Sequence, residues 1–361
     1  MTISLAKQKH YIVTAGGTGG HIFPALNLCQ RLIANKGKNC KITFITDQRF
    51  SEDYKAKYQE LFDTGLVKIV KLPIKSFSKK QIFRFSFGLF SALIKAFFLV
   101  VCKKPRFIFG FGGYASLPAL FWAAAFGKKI LLHEQNSVIG RVNEWFLPFA
   151  SRIFTSFKST EGIKPVYAKK QSFSGMIFSL QMLAKKQMLS TQSLGPRLAG
   201  SKNSFNIFIM GGSLGTTVFA SSLADWLCQI FKNNPAFASL YGGRVMVFHQ
   251  INKKHEVIKP ELEQIYTKGG MQCLVSSFFT NPEEIMLTSD LLVSRAGAGA
   301  VLEAALFNLP AIFVPIANSV KNHQLKNALQ AQAAGISKIA VIEEKDFNHQ
   351  NLEAAIKKIT T

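Results

Sequence analysis

Acidic residues are scarce in this chain of 361 residues, which has 44 lysines and arginines against 20 aspartates and glutamates. The imbalance is uneven, because residues 1–160 carry 24 basic and 7 acidic side chains, whereas the remainder carries 20 and 13. Between Asp63 and Glu134 there are twelve basic residues and no acidic one. A stretch of one sign attracts phosphate groups, whether of nucleic acid or of anionic lipid.

Cysteines and metal-binding acids are also few. The five cysteines are scattered and contain no C-x-x-C spacing, which disfavours a zinc or redox site and fits a reduced, cytoplasmic setting. No Asp-x-Asp occurs, so a metal ion that holds a diphosphate has no evident ligands. The sequence therefore predicts no metal and no other cofactor. The amino-terminal residues show no secretory signal pattern.

The best-known nucleotide motifs are absent as well. A dinucleotide fingerprint needs G-x-G-x-x-G and an acid about 20 residues later. From Gly17 the third glycine position is Ile22, and Asp47 lies too far along the chain. The phosphate loop G-x-x-x-x-G-K-[ST] does not occur either. An NAD(P)-dependent oxidoreductase is therefore a weak alternative.

No apolar run is long enough to predict a membrane-spanning helix. The longest, residues 85–101, contains Lys95 and falls short of the roughly 20 apolar residues that a span needs. Basic residues alternate with phenylalanines at its start, which is typical of a helix lying in a membrane interface. The predicted membrane-docking residues are Lys75, Lys79, Lys80, Phe83, Arg84 and Phe87. The alternative is a core helix, and we expect a helix that serves partly as each.

Short apolar segments alternate with helical segments, a pattern that predicts α/β domains with parallel, doubly wound sheets. The predicted strands are 11–15, 41–46, 67–71, 107–111, 129–133, 206–210, 244–249, 291–294 and 311–315, with a helix over 24–35. The pattern restarts after an irregular stretch at 164–204. We therefore predict two Rossmann-like domains, 1–163 and 164–345, followed by a carboxy-terminal helix at 346–361.

Four glycine-bearing turns follow predicted strands, two in each half, at 16–20, 110–113, 211–215 and 295–299. Without Cβ atoms, the backbone amides of such a turn can approach an anion at the positive end of a helix. One such turn is weak evidence, since glycine also allows tight packing. Four together favour phosphate binding, with Arg295 as a further cation.

Several stretches together resemble the MurG family of peptidoglycan glycosyltransferases. They are T-A-G-G-T-G-G-H-I-F-P-A from Thr14, G-F-G-G-Y from Gly110, H-E-Q-N from His133, G-G-S from Gly211, F-V-P from Phe313 and H-Q-x-x-N-A from His323. The resemblance implies a GT-B fold, in which two Rossmann-like domains face each other across a cleft. It implies transfer of N-acetylglucosamine from UDP-N-acetylglucosamine to lipid I, giving lipid II.

The same resemblance implies the partners and the location. The acceptor would be lipid I at an anionic membrane surface, on the cytoplasmic face of a bacterial inner membrane. Other cell-wall synthesis proteins are further candidate partners. The charge alone would allow a nucleic-acid partner, but none is expected, because the aromatic residues lie in apolar runs and not on a recognisable RNA-binding platform.

The matched positions take roles by resemblance. His21 and Glu134 are the two candidates for the base that activates the acceptor hydroxyl, with His21 first. Donor-binding residues are Thr18, Gly19, Gly20, Asn136, Gly212, Ser213, Gly215, Phe279, Arg295, Ala298, Gly299, Ala300, Val301, Leu302, Glu303, His323 and Gln324. Acceptor-binding residues are Gly16, Gly17, Gly112, Gly113, Tyr114 and His133. Glu303 would accept hydrogen bonds from the ribose hydroxyls.

Some positions depart from the family pattern. Leu214 and Thr216 alter the diphosphate turn, Ala296 stands where serine is usual, and Lys321 stands where an acid is common. Met176–Ser179 replaces a segment that would carry a nucleotide-contacting arginine. These differences leave open an alternative, a weakened or inactive membrane-bound homologue that acts as a scaffold.

Overall fold

The computed structural model describes residues 8–74, 82–191, 204–211, 219, 222–234, 243–335 and 338–360. It divides into two compact units, one ending at Gln181 and the other beginning at Met182. Each unit is built on one parallel sheet flanked by helices. The predicted α/β class and the pair of Rossmann-like domains are therefore confirmed.

The amino-terminal unit contains a seven-stranded parallel sheet in the order β3-β2-β1-β4-β5-β6-β7. Its strands are β1 (Lys9–Thr14), β2 (Cys40–Asp47), β3 (Val67–Leu72), β4 (Phe107–Gly110), β5 (Ile130–Glu134), β6 (Ala150–Thr155) and β7 (Gln171–Phe173). Its helices are α1 (Gly19–Lys36), α2 (Glu52–Lys57), α3 (Gln59–Asp63), α4 (Ile82–Phe97), α5 (Leu117–Ala125) and α6 (Arg141–Phe146); α7 (Leu180–Thr191) runs into the second unit.

The carboxy-terminal unit contains a six-stranded parallel sheet in the order β10-β9-β8-β11-β12-β13. Its strands are β8 (Phe205–Met210), β9 (Val245–Gln250), β10 (Gln272–Ser276), β11 (Leu291–Ser294), β12 (Ala311–Phe313) and β13 (Ile339–Val341). Its helices are α8 (Leu223–Lys232), α9 (Lys259–Lys268), α10 (Pro282–Thr288), α11 (Ala298–Phe307), α12 (His323–Ala333) and α13 (His349–Thr360).

The central strands are buried on both faces, which explains why they are nearly continuous apolar runs. In β1, Tyr11 and Val13 pack into the cluster beneath α1, whereas Ile12 packs into the cluster on the opposite face of the sheet. The alternation sends successive side chains to opposite faces. A parallel sheet covered by helices on both sides is the arrangement that such runs require.

Three boundaries differ from the predictions. The units divide after Gln181 rather than after residue 163, because β7 pairs with β6 and keeps this stretch in the first sheet. Helix α1 begins at Gly19 and has Pro24 inside it, whereas proline suggested the start of a helix. The carboxy-terminal helix α13 begins at His349 and not at residue 346. Its Leu352 and Ile356 are buried in the core of the second unit.

Each sheet has a point where the strand order reverses. In the first unit this point lies between β1 and β4, and in the second it lies between β8 and β11. Ligands of open α/β sheets bind in the crevice outside the carboxyl ends of the strands at such points. The turns at 16–20 and 110–113 follow β1 and β4, and the turn at 295–299 follows β11, so the topology places these three turns at the two crevices.

Helix α4 continues into one π-helical turn, Phe98–Cys102. Across the ranges that the structure describes, no helix is both long enough and apolar enough to cross a membrane.

A buried histidine of the second unit makes its stability depend on pH. His249 lies in the core, with Nδ1 3.0 Å from the hydroxyl of Tyr266. Burial lowers the pKa of His249 to about 4, from 6.5 in its ordinary state. Between these pH values the unfolded chain binds a proton that the folded chain does not, so stability that is present above pH 6.5 is lost as the pH falls toward 4.

Between pH 7 and pH 4, protonation linked to His249 should lower the free energy of unfolding of the parent by on the order of 3 kcal/mol. We expect His249→Gln to lack this decrease. The measurement is urea unfolding of parent and variant across that range. The variant at pH 7 supplies the control for the cost of the substitution itself. Parallel pH profiles for the two proteins would contradict the prediction.

Candidate active site

The first glycine turn joins β1 to α1. Gly17 has a φ of 96° and its amide donates to Asp47 Oδ2 at 2.9 Å. Thr18 is the N-cap of α1, its own side chain makes no capping hydrogen bond, and the first turn contains no acidic residue. The amides of Gly19 and Gly20 are therefore at the positive end of an 18-residue helix, an arrangement suited to an anion.

The second glycine turn packs directly against the first. The Gly16 amide donates to the carbonyl of Gly112 at 3.3 Å. A Cβ added at Gly113 would lie 2.4 Å from the Gly16 carbonyl oxygen, and the φ of Gly113 is 77°. Ser116 Oγ donates to the carbonyls of Thr14 and Gly112 at 3.1 and 2.8 Å. Only glycine fits at 113, and the two turns form one backbone surface.

His21 lies at this surface. His21 follows the first glycine turn directly in the sequence, and its imidazole lies against the second glycine turn. A Cβ added at Gly112 would be 3.4 Å from His21 Cδ2 and 3.5 Å from Nε2. Asn143 Nδ2 would be 3.6 Å from the same point. The structure thus brings together three predicted motifs of the first unit: the two glycine turns and, through Asn143, the segment that begins at His133.

Glu134 organises the loop that follows β5. Its carboxylate is buried and accepts four hydrogen bonds, from the amide and side chain of Asn136, the amide of Gly140 and the side chain of Asn143, at 2.8–3.1 Å. All of the donors belong to residues 136–143. This geometry fits a residue that holds a loop in place better than one that takes a proton from a substrate.

His133 is buried and neutral at neutral pH, because burial lowers its pKa to about 4. Gln135 Nε2 lies 3.0 Å from its Nδ1 and also donates to its carbonyl at 3.1 Å. The ring lies 5.2 Å from that of Phe111, which continues from β4. Direct acceptor contact by His133 remains a prediction, and its described contacts are with the protein. Tyr114 opens a short 3-10 turn, Tyr114–Ser116, beside these glycines.

In the second unit, helix α11 begins immediately after the turn at Arg295–Gly297. Within this helix Ala298 and Val301 are buried. The partly exposed residues are Gly299, Ala300, Leu302 and Glu303. The Glu303 carboxylate folds back over the first turn, so that a Cβ at Gly299 would lie 3.8 Å from Oε1. The first turn of α11 has no acidic residue and no side-chain cap, and Glu303 stands beside it.

The loop before α12 is shaped by side chains that bind its backbone. Gln324 Oε1 accepts from the amide of Ile316 at 3.1 Å, and His323 Nδ1 lies 2.8 Å from the carbonyl of Val320. Lys321 and Asn322 both have left-handed φ values, 55° and 54°. Such backbone strain is concentrated at functional sites. His323 and Gln324 are thus placed at the start of a helix beside a strained loop.

Arg295 was predicted to neutralise a diphosphate, but both of its terminal nitrogens bind protein acceptors, and its buried Nε has no described partner. Nη1 donates to the carbonyl of Val314 at 2.8 Å, Nη2 pairs with Glu344, and the group lies 5.1 Å from the ring centre of Phe219. The side chain is only 3% exposed. This geometry makes Arg295 a clamp that joins the ends of β11 and β12 to the turn at Glu344, and it counts against direct diphosphate binding.

Two predicted parts of the donor site remain, Phe279 and the diphosphate turn. Phe279 follows β10 and packs its ring on Phe208 at 5.8 Å. Gly212, Ser213 and Gly215, the predicted diphosphate turn, lie outside the described residues.

Sequence reasoning assigned no role to three side chains, two in the first unit and one in the second. Asn143 ties the carbonyl of His133 to Glu134, and Asp47 binds both Gly17 and Arg49. Asp47 does have a visible signal, since it is an acid directly at the end of a strand next to the reversal point. In the second unit Asn327 donates to the carbonyl of Ala296 at 3.2 Å and supports that turn.

The described residues contain no group of three or more histidines, cysteines or acids placed to hold a metal ion.

Comparison with known proteins adds to this geometry. Residues 11–155 match the glycosyltransferase family 28 N-terminal domain, and residues 206–361 match the glycosyltransferase family 28 C-terminal domain. A relative from Rickettsia bellii is 32% identical over 89% of this chain and 83% of its own length. One from Anaplasma marginale is 32% identical over 97% of this chain and 89% of its own. Both are named UDP-N-acetylglucosamine--N-acetylmuramyl-(pentapeptide) pyrophosphoryl-undecaprenol N-acetylglucosamine transferase.

The chain belongs to the MurG family, within glycosyltransferase family 28. The fold of the MurG family is also seen in a solved structure: that of Acinetobacter baumannii MurG has a TM-score of 0.68 at 22% identity, over 98% of this chain and 91% of the other. A UDP-GlcNAc 2-epimerase from Methanocaldococcus jannaschii has a TM-score of 0.57 at 14% identity, over 98% of this chain and 93% of its own. These two likenesses show the GT-B type of fold.

The contacts of Glu134 predict how its substitution acts. Glu134→Gln keeps the shape but turns one acceptor oxygen into an amide that faces donors from residues 136–143. We expect a loss of about 2 kcal/mol in the free energy of unfolding, because a buried donor is left without an acceptor. Thermal and urea unfolding measure it, with exposed Glu60→Gln as the matched control. Unchanged stability together with lost activity would instead place Glu134 in the chemistry.

Proposed function

We propose that this chain transfers N-acetylglucosamine from UDP-N-acetylglucosamine to lipid I, giving lipid II, with inversion at the anomeric carbon. The observation that carries the proposal is the convergence of both glycine turns, His21 and the 133–143 segment at the strand-order reversal of the first sheet. The names of the family relatives describe the same transfer.

In this reaction the acceptor hydroxyl forms a bond with the anomeric carbon as the bond from that carbon to the uridine diphosphate oxygen breaks. The diphosphate leaves with the electron pair, and a base takes the hydroxyl proton. We assign the base to His21, because its ring lies at the glycine surface whereas both oxygens of Glu134 are held by the loop. Glu134 then acts as a positioning residue for Asn136 and Asn143.

The second unit would hold the donor without a metal ion. The uncapped start of α11 can meet the diphosphate, and the Glu303 carboxylate beside it can accept from both ribose hydroxyls. Uracil would lie near the backbone of Phe279, and His323 with Gln324 near the sugar. Arg295 contributes by holding the turn that precedes α11.

Two variants should separate the two roles in one assay. We expect His21→Ala to lower turnover by roughly a hundredfold or more, as loss of a general base does, while donor affinity stays near that of the parent. Glu303→Gln should instead weaken UDP-N-acetylglucosamine binding by about tenfold, since one charged acceptor is lost.

The measurement is transfer to a lipid I analogue, together with calorimetric donor binding in the presence of a chelator. A parent that binds donor but transfers nothing would favour the scaffold alternative. A parent whose donor binding is abolished by the chelator would contradict the metal-free site.

The first unit also carries an exposed aromatic face that we propose docks on an anionic membrane, on the cytoplasmic side where lipid I would be presented. Phe87, Phe90, Ile94 and Phe98 recur every three or four residues and are 77, 63, 46 and 58% exposed. Ala92, Ala96 and Val100 of the same segment are fully buried in the core. The segment therefore serves partly as core and presents its other face outward.

Helix α5 extends this face. Phe121 and Phe126 are 46 and 47% exposed, and Trp122 beneath them donates to the carbonyl of Leu93 at 2.8 Å. Of the predicted docking residues, Phe87 lies on the face. Lys75, Lys79 and Lys80 lie outside the described residues, and for Phe83 and Arg84 only the helical backbone is described. Rings among acyl chains beside basic residues fit an interfacial helix.

We expect Phe87→Ser, Phe90→Ser and Phe98→Ser together to lower the affinity for anionic vesicles by about three orders of magnitude or more, since burying each of the three rings fully is worth roughly 1.5–3 kcal/mol. Sedimentation with vesicles measures this. Val257→Ser, at a residue 90% exposed in the other unit, is the control. Lys79→Glu, Lys80→Glu and Arg84→Glu together should reduce binding to anionic but not to neutral vesicles. Undiminished binding of the aromatic variant would move the docking face elsewhere.

A further inference from the structure

An arginine that the reaction scheme above does not use lies over the first glycine turn. A Cβ at Gly17 would be 3.4 Å from Arg49 Nη2, 3.6 Å from Nη1 and 3.7 Å from Cζ, so the guanidinium covers the face of Gly17 that has no side chain. Gly17 stands two residues before Gly19, where α1 begins. Arg49 itself is far from this turn in the sequence and belongs to the loop after β2.

The guanidinium is held in place by a buried acid. Asp47 has a side chain with 0% exposure, and its Oδ1 accepts from Arg49 Nε at 3.1 Å while Oδ2 accepts from Nη2 at 2.6 Å. The same carboxylate accepts from the amides of Arg49 and Gly17, both at 2.9 Å. Such a two-point pair sets the plane of the group as well as its position.

This arrangement leaves part of the guanidinium available. Of its five donor hydrogens, the contacts with Asp47 use one on Nε and one on Nη2. Among the described residues no acceptor takes the Nη1 hydrogens, and the side chain is 40% exposed. Arg295 differs, since it is 3% exposed and its guanidinium donates to protein carbonyls and Glu344. A planar group with free donors beside the start of a helix matches the oxygens of a phosphate.

We propose that Arg49 binds the diphosphate of the lipid-linked acceptor at the first glycine turn, and that Asp47 is its positioning residue. This inference rests on the proposed function. The donor also has a diphosphate, so the two sources share one chemistry. The acceptor is chosen because Arg49, Gly17 and His21 belong to one unit, in which the acceptor hydroxyl must meet the base.

The test compares parent and Arg49→Gln with two acceptor analogues, one with the diphosphate and one with a monophosphate in its place. We expect Arg49→Gln to raise the KM for the diphosphate analogue at least about tenfold, with kcat and the donor KM changed less than twofold. For the monophosphate analogue the effect should be much smaller, because the group that Arg49 binds is partly gone. Arg49→Lys should restore part of the affinity, and Arg152→Gln, at an exposed arginine on β6, should change nothing.

Asp47→Asn alone should raise the acceptor KM, because Arg49 is then no longer held in place. When Arg49 is already Gln, the same substitution should raise the KM little further. An acid with only a structural role would have the same effect in both backgrounds. Equal KM changes for both analogues, or a change confined to the donor KM, would overturn the proposal. Calorimetry with inorganic pyrophosphate in saturating uridine diphosphate needs no turnover, so it separates this inference from the proposed function. If the parent binds pyrophosphate and Arg49→Gln does not, the diphosphate site is supported even when transfer fails. If both proteins bind pyrophosphate equally, the proposed site is rejected.

Discussion

The carbonyl oxygen of Gly16 occupies the place where a side chain at residue 113 would begin, 2.4 Å from the position of an added Cβ. The site in the first unit depends on this backbone contact. It exists because β1 and β4 are neighbours in the sheet, so that the turns after them meet at their carboxyl ends. With the two turns in contact, Gly112 lies beside His21, and Asn143 connects that point to His133 and Glu134.

Both units support their reversal point with an arginine–carboxylate pair, yet the pairs differ in burial. Arg295 is almost fully enclosed, and its two terminal nitrogens donate to Glu344 and to carbonyls of the chain, so it stabilises the turn before α11. Arg49 is partly exposed, and Asp47 holds it beside a glycine with no side chain in the way. An arginine–carboxylate pair thus stabilises the protein in the second unit, whereas in the first unit such a pair leaves part of the guanidinium open to a ligand. Exposure, rather than residue type, distinguishes the two.

The outward face of α4 belongs to the same unit as His21 and the paired glycine turns. A polyprenyl chain is expensive to remove from a bilayer, because each CH₂ transferred to water costs roughly 0.8 kcal/mol. A transferase for such an acceptor must therefore bring its acceptor site to the membrane surface. Partly exposed phenylalanines within a stretch that has twelve basic and no acidic side chains suit that requirement.

The sequence by itself determined the α/β class, the two Rossmann-like domains, most central strands and the family, because these follow from apolar periodicity and from glycine motifs that are local in the chain. Tertiary structure alone decided what the motifs touch. Ser116 reaches the carbonyl of Thr14 from 102 residues away, and Arg49 meets Gly17 only because β2 lies beside β1. It likewise turned Arg295 inward and gave Glu134 four partners. Such contacts depend on strand order, and local patterns carry no record of which strands become neighbours.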